Sequence, residues 1–185
     1  LIAVLEITFD FFQRAAFHRS HAMKTLLLLA SVLSFAVSPL FAEDAGFPQK
    51  SPVLSIAVPE GWEAEHEEGK LYITAGDDDV VVEVSALKAT KPEGAKALEE
   101  MKKSVQEAFK NVEFKPMQEG GSNNVGMYIL NGTGEDDQGK ANLSAILVTN
   151  GDKDQLFMVF VAASPEGSKE FGEGIDALLK SIKKI

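Results

Sequence analysis

The most constraining stretch of this chain is Leu156-Phe157-Met158-Val159-Phe160-Val161-Ala162-Ala163, in which every side chain is apolar. A strand with one wet face alternates polar and apolar residues, whereas a strand covered on both faces does not. This segment belongs at the centre of a sheet enclosed from both sides, and the rest of the chain has to supply two covering layers.

Two helical patterns can do so. From Glu93 to Lys110, Ala97, Leu98, Met101, Val105, Ala108 and Phe109 recur at spacings of three and four with charges between them, the signature of an amphipathic helix. Near the C-terminus, Ser164-Pro165 offers a hydroxyl cap followed by a proline at the first helical position, ahead of Phe171, Ile175, Leu178, Leu179 and Ile182. Strand patterns fill the remainder: Leu54 to Val58, Leu71 to Thr74 and Val80 to Leu87 before the first helix, then Val112 to Met117, Val125 to Thr133 and Ala141 to Thr149. Their short connections, rich in Gly, Asn and Asp, make antiparallel hairpins. The expected class is therefore α+β, an antiparallel sheet between helical layers in an α/β/α sandwich.

Upstream, Met23 opens MKTLLLLASVLSFAVSPLFA, with one charge at Lys24, an apolar run from Leu26 to Val37, and Pro39 shortly before Ala42. This is the layout of a secretory signal peptide over residues 23–42, cut after Ala42. Residues 1–22 begin with Leu, add Arg14 and Arg19 on the inner side of the apolar run, and read as an over-extended start. Residues 43–52, polar and carrying Gly46, Pro48 and Pro52, read as a flexible lead-in to a single domain over 53–185. The expected address is secreted or periplasmic, with no stable membrane anchor once the leader is removed.

The full chain holds 18 basic and 28 acidic residues. Without residues 1–42 it loses three of the first (Arg14, Arg19, Lys24) and two of the second (Glu6, Asp10), leaving a net charge of about −11. Such a surface repels nucleic acid and anionic lipid. No arginine remains beyond Arg19, which removes bidentate guanidinium clamps for phosphate or carboxylate. Cysteine is absent, so disulfides, thiol nucleophiles, thiolate metal sites and a lipidated N-terminal cysteine are all excluded.

The order of elements, together with Leu54-Ser55-Ile56-Ala57-Val58-Pro59-Glu60-Gly61-Trp62, resembles the fold superfamily of PsbP, the extrinsic subunit of the oxygen-evolving complex. The resemblance covers most of 53–185, its sequence mark being the apolar-Pro-x-Gly-Trp strand exit. It implies strands, a long helix, a four-stranded antiparallel run and a C-terminal helix. The superfamily spans photosystem subunits, a nuclear-transport factor and exported bacterial proteins, and has no shared catalytic set to carry across. It therefore implies a binding or assembly role rather than a reaction.

Few residues offer chemistry. His66, within Glu63-Ala64-Glu65-His66-Glu67-Glu68-Gly69, is the only histidine beyond the leader, and carboxylates beside an imidazole can make a general base. No Gly-x-Ser-x-Gly elbow accompanies it, and the stretch reads as a solvated strand or turn. Asp77, Asp78 and Asp79, then Asp136 and Asp137, then Asp152 and Asp154 put oxygen ligands on three loops. Hard cations such as calcium take such ligands, but none has the spacing of a calcium-binding loop, and solvated hairpin tips are the simpler reading. Trp62 and Tyr72 are candidates for an aromatic binding surface, set against a place at the core edge. No cofactor is expected. These readings converge on an exported, non-catalytic binding or assembly-supporting domain with a protein partner in the cell envelope. The alternative is a secreted hydrolase or cation-dependent enzyme using His66 or the acidic loops, with weak Ca2+ binding.

Overall fold

A computed structural model describes residues 41–87, 94–149 and 155–185. The wholly apolar segment is strand β10 (Leu156–Ala163), and it lies in the middle of an antiparallel sheet. On one side it pairs with β5 (Val80–Leu87), which is followed outward by β4 (Lys70–Ala75) and β3 (Glu63–Glu67). On the other side come β9 (Gly139–Thr149) and β8 (Val125–Asp136). β6 (Lys110–Phe114) and β7 (Gln118–Ser122) then share the outer edge of β8, each pairing with one half of it.

The alternation of β10 divides the core in two. Leu156, Met158, Phe160 and Ala162 face helix α1 (Gly94–Ala108), which contributes Leu98, Met101 and Val105, with Phe109 just beyond its end. Phe157, Val159, Val161 and Ala163 face the opposite way, toward Leu178 of α3 (Gly172–Ser181) and Ile182. That second face is shared with a small sheet of β1 (Phe41–Phe47), β2 (Leu54–Pro59) and β11 (Lys183–Lys184), in the order β1-β2-β11. Phe47 is fully buried and meets Phe157 edge-on, ring centroids 6.1 Å apart. Burying one such ring contributes roughly 1.5–3 kcal/mol. The class is α+β, with a helix on each face of the main sheet as the apolar strand requires.

Several elements differ from the sequence expectation. Residues 43–47 of the expected lead-in belong to a strand: Glu43 to Phe47 pair in register with Val58 to Leu54, and Ala45 and Phe47 are buried. The pairing partner supplies what local composition does not. The charged run Glu63–Glu67, by contrast, is the strand that the solvated strand-or-turn reading allowed, closing a two-residue hairpin onto β4, with Glu68 and Gly69 both at positive φ. Gly120 to Ser122, expected in a connection running from Gly120 to Asn124, instead belong to a strand, Gln118–Ser122. The turn itself is only Asn123-Asn124, at φ 51° and 65°; the Asn123 amide then donates to the carbonyls of Lys180 and Ile182, tying this hairpin to the end of α3.

The C-terminal helical pattern is interrupted once. Helix α2 (Pro165–Glu170) starts under a Ser164 cap, whose Oγ accepts from the Gly167 N–H at 2.8 Å, and stops at Phe171. Phe171 leaves helical geometry at φ −103°, ψ 7°, and α3 begins immediately after it.

Candidate functional site

The register separates the residues singled out by sequence. Trp62 follows the turn after β2, its N–H bonding to the Pro59 carbonyl at 3.2 Å. Its ring meets Phe171 edge-on at 6.1 Å and lies against Gly174, where an added Cβ would come within 2.8 Å of the indole. Much of the ring is therefore occupied by packing, as at a core edge. His66 stands opposite Leu71, whose side chain enters the core beneath α3. Tyr72 stands opposite Glu65 on one side and Glu83 on the other, facing the α1 core. Trp62 and Tyr72 thus lie against different faces of the sheet and form no joint aromatic surface.

The acidic loops are held by local bonds. Asp79 accepts from the Ser164 N–H through its carbonyl at 2.9 Å and from the Ser164 hydroxyl through Oδ1 at 3.0 Å, so it anchors the start of α2. Asp136 accepts from the Gln138 N–H at 2.8 Å, bracing its own turn. Asp137 pairs with Lys110 at 3.6 Å on the surface. Asp77 and Asp78 occupy the tight turn between β4 and β5 at positive φ. Asp152 and Asp154 lie outside the described residues. Among the described residues no three His, Asp or Glu side chains are grouped to hold a metal ion.

The structure assembles a different cluster, on the α1 side of β4 and β5. Glu83 is 1% exposed and Lys70 is 8% exposed, and their side chains meet at 3.2 Å between Nζ and Oε2. Tyr72 is the direct cross-strand neighbour of Glu83, with the Lys70 ammonium 6.0 Å from its ring centroid. Burial pushes the Glu83 carboxyl above its ordinary range. Lys70 pulls it back by charge and by hydrogen bond, and Ser85 and Tyr72 add smaller pulls in the same direction. Ser85 and Tyr72 approach this carboxylate as further, weaker hydrogen-bonding neighbours, and among the described residues neither Oε1 nor the Ser85 hydroxyl makes a contact of strict hydrogen-bond geometry.

Sequence reading did not single out this pair, although one signal was present. Glu83 is the only charge in Val80-Val81-Val82-Glu83-Val84-Ser85-Ala86-Leu87, and a buried charge demands a counter-charge. Its identity depends on hairpin register, which the tight turn at Gly76–Asp79 sets. Chemically the cluster is a closed ion pair. A carboxylate so enclosed cannot meet a substrate without displacing its cover, and among the described residues no histidine or metal group adjoins it.

No family model matches this chain, and no curated protein matches it in sequence. Solved structures do resemble it. The solution structure of cyanobacterial PsbP (CyanoP) from Synechocystis sp. PCC 6803 is similar with a TM-score of 0.59 at 12% identity, over 85% of this chain and 99% of that one. LpqN, involved in cell envelope biogenesis of Mycobacterium tuberculosis, is similar with a TM-score of 0.52 at 14% identity, over 79% of this chain and 88% of that one. At these identities the likeness is one of fold, and the fold is PsbP-like.

Proposed function

We propose that this chain is an exported protein of the cell envelope whose PsbP-like domain binds or supports the assembly of another protein and catalyses no reaction of its own. The observation that carries the reading is the fold, whose likeness spans nearly the whole of the cyanobacterial domain. The likeness to LpqN adds an envelope setting by analogy. Chemistry points the same way, because the buried carboxylate is closed off and the acidic loops are engaged in bracing turns.

Export rests on the Met23–Ala42 pattern. A cut after Ala42 falls at the start of β1 and leaves the paired residues Glu43–Phe47 with the domain, so processing and folding are compatible. Among the described residues no helix is long and apolar enough to cross a membrane. Expression of the full chain in a bacterial host, followed by fractionation and N-terminal sequencing, is expected to give an envelope product beginning at Glu43. Crosslinking of that product in its native envelope should then capture one recurrent protein. A cytoplasmic, uncut product would refute export; substrate turnover by the purified domain, lost on His66→Ala, would refute the non-catalytic role.

A further inference from the structure

We propose that the half-buried aromatic pair Trp62–Phe171, with the acidic rim around it, is the surface on which this domain docks a lysine- or arginine-bearing segment of a partner protein. The proposal rests on the reading above that the domain binds a protein, and adds the place and the chemistry.

The pair is rigid before anything binds. Its rings meet edge-on at 6.1 Å, nearly perpendicular at 89°. Phe171 sits in the break between α2 and α3, where its N–H bonds to the Gly167 carbonyl at 2.8 Å and its own carbonyl accepts from the Ile175 N–H at 2.9 Å. Its ring lies against the β4–β5 turn, since a Cβ added at Gly76 would come within 2.5 Å of it, as Trp62 lies against Gly174 of α3. Packing holds both rings in place without burying them, and both stay half-buried. A ring fixed in this way loses little freedom on binding. Open space adjoins them: at Gly61, before Trp62, and at Gly172, after Phe171, an added Cβ would meet nothing within 4 Å.

Charge selects the occupant. Glu60, Glu63, Asp77 and Glu173 are exposed, and each stands next to, or one residue removed from, Trp62, Gly76 or Gly174. From Ser51 to Leu87 the only lysine or arginine is Lys70, which is buried against Glu83. On the helical side Lys180 pairs with Asp176 at 2.7 Å, and Lys169 of α2 is outnumbered by Glu166 and Glu170. Other surfaces are mixed: α1 pairs Lys102 with Glu99 at 2.6 Å, and the β8–β9 tip pairs Asp137 with Lys110 at 3.6 Å.

The carboxylates are spread rather than convergent, and among the described residues no three His, Asp or Glu side chains are grouped to hold a metal ion. Dispersed negative charge around an aromatic pair suits a cation larger than a metal ion and one that brings several charges. A segment with several lysines or arginines meets both conditions. Its stems lie along apolar surface, its heads are drawn to the ring faces, and the rim steers its approach. An acidic partner is repelled by the same field.

Trp62 is the only tryptophan of the chain, so its emission reports on this place alone. The test titrates the full chain with a short dye-labelled peptide of alternating lysine and alanine, against a glutamate-alanine counterpart. The lysine peptide is expected to bind by anisotropy and to change Trp62 emission at the same midpoint, and the glutamate peptide to do neither. Glu60→Lys with Glu173→Lys should weaken binding roughly tenfold or more, the scale of exposed ion pairs turned from attraction to repulsion. Glu99→Lys with Glu107→Lys makes the same change in net charge on α1, across the sheet, and should weaken it less than about threefold because salt screens distant charge. Equal losses in the two pairs overturn the site, as does binding that leaves Trp62 emission unchanged. A peptide that fails to bind while crosslinking captures an envelope partner overturns this site and leaves the broader reading intact; a bound peptide with no captured partner does the reverse.

Discussion

Removing Lys70 and removing the charge of Glu83 are unequal acts, although each breaks the same bond. Lys70→Met strands a carboxylate that is 1% exposed, and breaking a buried pair in this way costs about 3–5 kcal/mol. Glu83→Gln leaves an ammonium near the hairpin turn, which can reach water, so the loss should be smaller. Replacing both, by Met and Leu, is expected to give stability equal to the parent or above it. Urea unfolding of the three variants measures this, and equal losses for the two single changes would contradict the account. The pH dependence has a definite sign. A carboxyl raised in the folded state binds more protons there than in the unfolded chain, so its contribution is present in full below about 4.5 and is lost as pH climbs through the raised value. Lys70→Met pushes that value further up and should deepen the loss at neutral pH. Glu83 shows how far sequence reaches at this scale: its oddity is visible in the apolar run, but the lysine that answers it stands thirteen residues earlier and is found only through register.

At the scale of elements, the C-terminal helices are pinned by close approaches at two glycines. A Cβ at Gly167 would lie 2.6 Å from the Asp79 carbonyl oxygen, and one at Gly174 would press on Trp62, itself braced by Phe171. At Gly172 an added Cβ meets nothing within 4 Å. Gly167→Ala and Gly174→Ala should each cost about 1–3 kcal/mol by overpacking, while Gly172→Ala should be neutral or stabilise by up to about 1 kcal/mol through helix propensity. Thermal melts of the three side by side check this, and a uniform response would show that the approaches are not the cause. The legible elements were those with a strong internal period: α1, the C-terminal helical run, and the apolar strands. β1 and β7 were not, because Glu-Asp-Ala-Gly and Gln-Glu-Gly-Gly carry no apolar alternation and become strands through their partners, while Glu-Ala-Glu-His of β3 was legible only as a solvated strand or turn until its partner decided between the two.

For the molecule as a whole, a single sentence of sequence carried the architecture. Eight apolar residues in β10 demanded cover on two faces, and both covers are present. The small sheet beside α3 was not foreseen, since it joins residues 41–59 to residues 183–184 across almost the full length of the described chain. Function is less legible than fold for a physical reason: a core repeats its demands in dozens of side chains, whereas a recognition surface on an acidic, arginine-free domain is written once. Trp62, the most conspicuous candidate, turns out to be employed in packing.

The small sheet also brings the first and last described strands together. β1 and β11 flank the same strand, β2, and Asp44 meets Lys183 at 3.1 Å. With one strand between them and an offset of a few residues, Glu43 and Ile185 lie roughly 20 Å apart. About seven linker residues bridge that gap. The chain can then be joined end to end and reopened at the Asn123-Asn124 turn, giving a circular permutant expected to fold with the parent's circular dichroism. If it does, this domain is a cassette that can be spliced into a loop of another protein.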